Sequence, residues 1–241
     1  MQLIIDVGNT RVKVAVFDDD VIVAKITITL LQFVEKLGDF VADYPVKKAI
    51  ISSVGRLSQE QARSVQLRFP TILLSHKTPL PFVNDYATPE TLGVDRLALV
   101  AAFAKAYSGK NGLIIDAGTC ITYDFINAEG HYKGGAISPG VQLRYKTLNN
   151  LTANLPLLEM KIPETIVGDS TETAIHSGVM IGIAKEIDGI IDQYKSDFGV
   201  DTIILTGGDA EILSKRLKNS IFAHSNFLME GLNYILRRTN D

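Results

Sequence analysis

The chain has no tryptophan and a single cysteine, Cys120, among its 241 residues. One thiol cannot close an internal disulfide, which suits a reducing compartment. Cys120 lies inside a buried-strand pattern and reads as a small packed residue, not a redox sensor. Basic charge is also scarce: 24 Lys and Arg against 27 Asp and Glu leave a net charge of -3, and the densest cationic cluster is the pair Arg237-Arg238. A chain without a basic face is not expected to bind nucleic acid. No run approaches the roughly 18 apolar residues a membrane helix needs, and the N-terminus opens on a strand pattern without a basic-then-apolar leader. No membrane partner and a cytoplasmic location are therefore expected.

Familiar catalytic signatures are missing too. There is no G-x-x-x-x-G-K-[ST]: Gly109-Lys110 is followed by Asn111 and precedes a strand. No G-x-G-x-x-G occurs, which removes the dinucleotide fingerprint, and no G-x-S-x-G, which removes a nucleophile elbow. His76, His131, His176 and His224 show no ligand spacing, so a zinc site is not expected.

What the chain does have is one motif written twice. Leu3-Ile4-Ile5-Asp6-Val7-Gly8-Asn9-Thr10 is echoed by Leu113-Ile114-Ile115-Asp116-Ala117-Gly118-Thr119-Cys120. Each is a short apolar run that reads as a buried strand, ending in a carboxylate and a glycine turn. An Asp there is costly unless something positive meets it, and the Gly lets a ligand approach the backbone. One such motif alone is better explained by an ordinary strand with an Asx turn in a tight hairpin. Two, at equivalent places, point to a duplicated chain with lobes at 1–110 and 111–241, and to carboxylates facing a shared cleft. This pattern resembles the phosphate-binding segments of the acetate/sugar kinase, heat-shock chaperone and actin superfamily.

Periodicity fills in the rest. Strands are expected at 3–6, 12–17 and 21–28 as a meander, then a helix over 29–44 capped by Thr29, a strand at 49–53, a helix at 58–69 and a strand at 72–74. The proline-rich stretch 78–89 reads as a surface loop reaching toward the site, ahead of an alanine-rich helix ending near Tyr107. After the second motif come a hairpin, a helix started by Ser138-Pro139 and running to Pro156, and a long helix from Thr171 to Gly199, capped by Asp169. A strand at 202–205, a short helix and an amphipathic helix at 226–238 complete an α/β pattern.

Three stretches carry chemistry. Asp6 to Lys13 offers backbone N–H groups and a hydroxyl to phosphates, a carboxylate to a hydrated divalent cation, and a mobile charge in Lys13. The alternative for Arg11 and Lys13 is the solvated face of a strand. Gly93-Val94-Asp95-Arg96 stands near a helix start. There Asp95 can accept a hydroxyl proton during phosphoryl transfer and Arg96 can fork onto a substrate carboxylate; the alternative is an Asp favoured by the helix dipole beside a surface Arg. Asp116 to Thr119, with Gly134-Gly135 and Ser138-Pro139-Gly140 downstream, allows close approach of an anion.

In this order, D-x-G-N-T-R-x-K at 6–13, G-x-D-R at 93–96, D-x-G-T at 116–119 and G-G-x-I-x-P-G at 134–140 resemble type III pantothenate kinase along nearly the whole chain. The resemblance implies two similar actin-like (ribonuclease H-like) lobes, each a mixed sheet flanked by helices, with the active site in the cleft between them. It implies a homodimer that phosphorylates the primary hydroxyl of pantothenate with ATP, opening coenzyme A synthesis, and that needs magnesium and potassium or ammonium. By this likeness Asp6, Val7, Gly8, Asn9, Thr10, Arg11, Val12 and Lys13 bind ATP, with Asp6 holding magnesium through water, and Thr119 touches ATP. Asp95 is the proton acceptor; Gly93, Val94, Asp95 and Arg96 line the pantothenate site with Tyr86 and Thr171, the latter from the partner subunit. Asp116 holds the monovalent cation. Cys120 departs from the small alanine-like residue expected after D-x-G-T. Two alternatives stay open on the residues alone: a kinase of a sugar or other small alcohol, and an ATP-binding regulatory protein that transfers nothing.

Overall fold

The computed structural model describes residues 1–54 and 57–239, and the chain divides into two compact units. The first comprises Met1–Ser108, Gly130–Tyr132 and the residues from Asn226; the second comprises Gly109–Glu129 and Lys133–Ser225.

The elements begin with β1 (Gln2–Val7), β2 (Val12–Asp18), β3 (Val21–Ile28), α1 (Phe33–Val41), β4 (Lys48–Ser53), α2 (Gln59–Gln66), β5 (Thr71–Leu73), β6 (Val83–Asn84) and α3 (Val94–Ala106). They continue with β7 (Gly112–Ala117), β8 (Cys120–Ile126), β9 (His131–Pro139), α4 (Val141–Asn150), α5 (Thr171–His176), α6 (Gly182–Phe198), β10 (Thr202–Thr206), α7 (Ala210–Ser214), β11 (Phe222–Ala223) and α8 (Phe227–Arg238).

The sheet of the first unit runs β3-β2-β1-β4-β5, and the strands of the second follow β9-β8-β7-β10-β11. In each, the strand carrying the motif is central, antiparallel to the strand that follows it and parallel to the next one over. The match is strand for strand, so the repeated motif reflects a repeated architecture.

Alternation along β1 sorts its side chains between two layers. Leu3, Ile5 and Val7 pack with Phe33, Leu37 and Val41 of α1 and Val65 of α2. Ile4 packs on the other face with Ala98 and Ala101 of α3 and Leu232, Ile235 and Leu236 of α8. Asp6 shares the parity of Ile4, so the pleat turns it toward the α3 side. Helix α3 is buried from Arg96 through Phe103, and its Ala98 and Ala101 pack between Ile4 and Ile50 of the sheet and the apolar face of α8. Gly231 makes that crossing possible: a Cβ there would lie 1.8 Å from the Ala98 carbonyl oxygen. A division at 110/111 would assign α8 to the second lobe; it packs in the first.

In the second unit Leu113, Ile115 and Ala117 of β7 pack with Val141 and Tyr145 of α4 and with Ile183, Ile187 and Ile191 of α6. Several expected boundaries shift. Thr29 does not cap α1: it stands before a 3₁₀ turn at Leu30–Gln32, makes no side-chain cap bond there, and Gln32 is the N-cap of α1. Ser138 and Pro139 do not start a helix: they end β9, where the ring of Pro139 is tolerated at a strand terminus, and Gly140 is the N-cap of α4. That helix stops at Asn150, short of Pro156. The cap of α5 is Ser170, in a reciprocal box with Thr173, and not Asp169 with Glu172. A π-type segment, Ser177–Ile181, joins α5 to α6, which ends at Gly199 in the left-handed conformation, φ 60°.

Candidate active site

The first unit brings together most of the residues singled out by sequence. Asp6, next to last in β1, lies across from Lys13 of β2 and Ser52 of β4. The residue is only 8% exposed. Burial pushes its pKa up to about 6; the nearby Asp95 charge adds to the rise, while Lys13 and the Ser52 hydroxyl oppose it. A buried carboxylate in this state is a strong candidate partner for a cation.

Beyond Asp6 the chain turns through Gly8, Asn9, Thr10 and Arg11, closed by a bond from the Gly8 N–H to the Arg11 carbonyl at 3.1 Å. Val7 and Val12 anchor the turn in the core, while Asn9, Thr10, Arg11 and Lys13 are exposed. The hairpin thus presents an amide, a hydroxyl and two cations to solvent beside a buried carboxylate, a donor set that fits a triphosphate with a hydrated divalent ion.

Asp95 sits in the first turn of α3, on the side of the sheet to which Asp6 points. Its Oδ1 accepts the Arg96 N–H at 2.9 Å, an amide that also donates to the Gly93 carbonyl at 3.1 Å. Burial raises the pKa of Asp95, and the Arg96 amide and guanidinium only partly offset it. Gly93, the N-cap, is needed for this geometry: a Cβ there would fall 2.4 Å from Asp95 Oδ1. Val94 packs into the α3–α8 core.

Arg96 is buried, and its guanidinium carbon lies 5.6 Å from the centre of the Tyr86 ring. Tyr86 is held by a bond from its N–H to Asn84 Oδ1 at 3.1 Å, and its ring stacks on Tyr132, 6.1 Å between centroids at 11°. The stretch 78–89 is thus partly ordered: β6 pairs in parallel with His131 and Tyr132, and His131 Nδ1 lies 2.9 Å from Asp85 Oδ2. The stacking of Tyr132 on Tyr86 is a feature periodicity did not reveal; the only available signal was an aromatic beside the hairpin turn at 127–130.

Asp116, Thr119 and Thr171 belong to the second unit. Asp116, next to last in β7, lies across from Thr122 of β8 and Thr206 of β10. Its turn is tighter than the first, with the Gly118 N–H bonded to the Cys120 carbonyl at 2.9 Å and Thr119 exposed at the tip. Cys120 opens β8 and is half-buried. Two glycines press against this turn. Gly140 donates its N–H to the Thr119 carbonyl at 3.0 Å, and a Cβ on it would lie 2.1 Å from the Gly118 oxygen. Gly207, at φ 98°, would place a Cβ 2.4 Å from both the Ala117 oxygen and Asp116 Oδ1. Thr206-Gly207-Gly208-Asp209 is therefore a wall of the Asp116 turn. Thr171 is the first residue of α5 and exposed. Among the described residues no group of three His, Cys, Asp or Glu side chains could hold a metal, and no helix is long and apolar enough to cross a membrane.

The family model of type III pantothenate kinase matches residues 2–193. The chain is 48% identical over 233 residues to a type III pantothenate kinase of Flavobacterium johnsoniae, with 96% of each chain covered. Among solved structures it is similar to a Campylobacter jejuni chain named for the Baf family, at TM-score 0.68 and 22% identity over 99% of this chain and 98% of that one. It is also similar to a glucokinase from an Antarctic psychrotroph, at TM-score 0.53 and 12% identity over 98% of each. At such identities the solved structures speak for the fold: α/β, with mixed sheets flanked by helices.

Proposed function

The chain belongs to the type III pantothenate kinase family, and on that premise we propose that it transfers the γ-phosphoryl group of ATP to the primary hydroxyl of pantothenate, the first step toward coenzyme A. The observation that carries this reading is the approach of two carboxylates of different character within the first unit. Asp6 is buried beside Lys13 and an exposed polar hairpin, and Asp95 is held at a helix start beside Arg96.

In this reading the Gly8 to Arg11 turn cradles the triphosphate, Lys13 neutralises it, and Asp6 takes a hydrated magnesium ion. Bound magnesium would supply further charge neutralisation across the phosphates. Arg96, braced over Tyr86, receives the acceptor's carboxylate. Asp95 orients the acceptor hydroxyl and takes its proton as the phosphoryl group moves; a pKa raised above the ordinary carboxylate value makes it a better base. Most of the remaining catalysis is positioning. Asp116 is assigned a potassium or ammonium ion, Thr119 a contact to ATP, and Thr171 a contact to pantothenate in the partner subunit of a homodimer. A cytoplasmic location completes the proposal.

The test is a panel of acceptors offered to purified protein with ATP, magnesium and either potassium or sodium. Phosphorylation of pantothenate, stimulated by potassium over sodium, is expected. A preference for sugars with no potassium requirement would replace this reading with a sugar kinase, and nucleotide binding with no transfer to any acceptor would replace it with a regulatory protein.

A further inference from the structure

The second unit contains a polar cluster that the proposed reaction does not use. Arg144, in the first turn of α4, makes three bonds with its guanidinium. Nε donates to the Pro139 carbonyl at 2.8 Å, and Nη2 donates to Ser138 Oγ at 2.9 Å and to Glu186 Oε2 of α6 at 2.5 Å. The other oxygen of Glu186 accepts from the hydroxyl of Tyr123, a fully buried residue of β8, at 3.1 Å. Burial works against the Glu186 charge, yet bonds from Arg144 and Ser138 and the Arg144 charge outweigh it and hold the carboxyl below its ordinary value. Burial and the Glu186 charge push the Tyr123 phenol upward, so it stays a donor.

Two of the three Arg144 bonds end on the segment just before Gly140. That residue is the one whose N–H grips the Thr119 carbonyl and whose missing side chain admits the Gly118 oxygen. We propose that Arg144 and Glu186 are positioning residues for the nucleotide: they pin Ser138 to Gly140 against the Gly118-Thr119 turn and so fix where Thr119 presents its hydroxyl. This rests on the assignment of Thr119 to ATP made above. The planar fork of arginine is required, because one side chain must reach a carbonyl, a hydroxyl and a carboxylate together; a lysine ammonium can keep Glu186 but cannot span all three.

The experiment compares wild type with Arg144→Met, Arg144→Lys and Glu186→Gln. It measures calorimetric binding of a non-hydrolysable ATP analogue with magnesium, thermal melting, and KM for each substrate. Arg144→Met and Glu186→Gln are expected to raise the analogue Kd and the KM for ATP about tenfold, as the Thr119 hydroxyl loses its fixed position, while the KM for the acceptor stays put. Arg144→Lys falls between. A merely structural role would lower the melting temperature without this split between substrates. Variants that bind the analogue like wild type, or that raise both KM values together, overturn the proposal, and Glu186→Gln decides if Arg144→Met does not fold. Failure of wild type to bind the analogue would sink the nucleotide assignment itself, a result distinct from equal binding by all forms.

Discussion

Asp6 and Asp116 stand at the same place among five strands of matching order, to which the second sheet adds β6 beyond β9. Each is the fifth residue of a six-residue central strand, and each lies across a parallel pair from a buried hydroxyl residue, Ser52 or Thr206. The turns that follow differ. Val7 pairs with Val12 across four intervening residues, whereas Ala117 pairs with Ile121 across three. The longer turn presents Asn9, Thr10 and Arg11; the shorter one presents Thr119 under the backbone of Gly140 and Gly207. Duplication supplied the carboxylates, and turn length differentiated them.

Asp6 should reveal itself in the dependence of stability on pH. Its folded pKa lies near 6 against an ordinary 3.8, so the native state binds the proton more tightly and loses stability as pH rises from about 4 to 6. Asp6→Asn removes that loss. At pH 7.5 the variant should gain on the order of 2–3 kcal/mol over wild type, since each pH unit between the folded and ordinary values is worth about 1.4 kcal/mol, and the gain should vanish below pH 4. Chemical denaturation at both pH values measures it. The same variant should lose magnesium-dependent nucleotide binding. A variant less stable at pH 7.5, or equally able to bind, contradicts the role given to this carboxylate.

Gly93→Ala tests the geometry around Asp95. The new methyl would meet Asp95 Oδ1 at 2.4 Å, so the carboxylate has to move, while helix α3 stays packed against the sheet and α8. A fall in kcat of at least about tenfold is expected from displacement of a reacting group, with melting changed by only a few degrees. An unchanged kcat would mean that the position of the carboxylate is not critical.

Asp116→Asn should abolish the difference between potassium and sodium while leaving pantothenate affinity intact. Titration of activity with each cation reads this directly. A variant that still prefers potassium would move the monovalent site elsewhere.

Gly207→Ala introduces both a strained φ of 98° and a contact of 2.4 Å with Asp116 Oδ1. The expected cost is about 1–3 kcal/mol from the backbone alone, together with loss of potassium activation. Wild-type melting and cation response in this variant would show that the turn has room to adjust.

Much of this arrangement is legible in the sequence, for physical reasons. Apolar runs ending in D-x-G mark β1 and β7 because buried strands and glycine turns leave a local imprint, and the Gly199 stop of α6 carries an equally local signal. The α5 cap moved by one residue, from Asp169 to Ser170, within one short stretch, whereas other differences answer to parts of the chain outside any local window. Ser138-Pro139 has the composition of a helix start, but Gly140 must enter the space beside Gly118, and that demand comes from the turn between β7 and β8, outside the local window around Gly140. Strands β6 and β11 have two residues each, too few to show a period. The stack of Tyr132 on Tyr86 and the packing of α8 on α3 join residues 46 or more positions apart, which no window of periodicity reaches.

The proposed chemistry turns on Asp95 taking the proton from the primary hydroxyl of pantothenate as the phosphoryl group arrives. Single-turnover transfer from γ-labelled ATP, followed by mass spectrometry in wild type and Asp95→Asn, puts that step to the test. Wild type should place the label in a phosphomonoester at that hydroxyl, and Asp95→Asn should bind nucleotide normally yet transfer about two to four orders of magnitude more slowly. Transfer by Asp95→Asn at the wild-type rate, or label released by wild type only as inorganic phosphate, would overturn this mechanism.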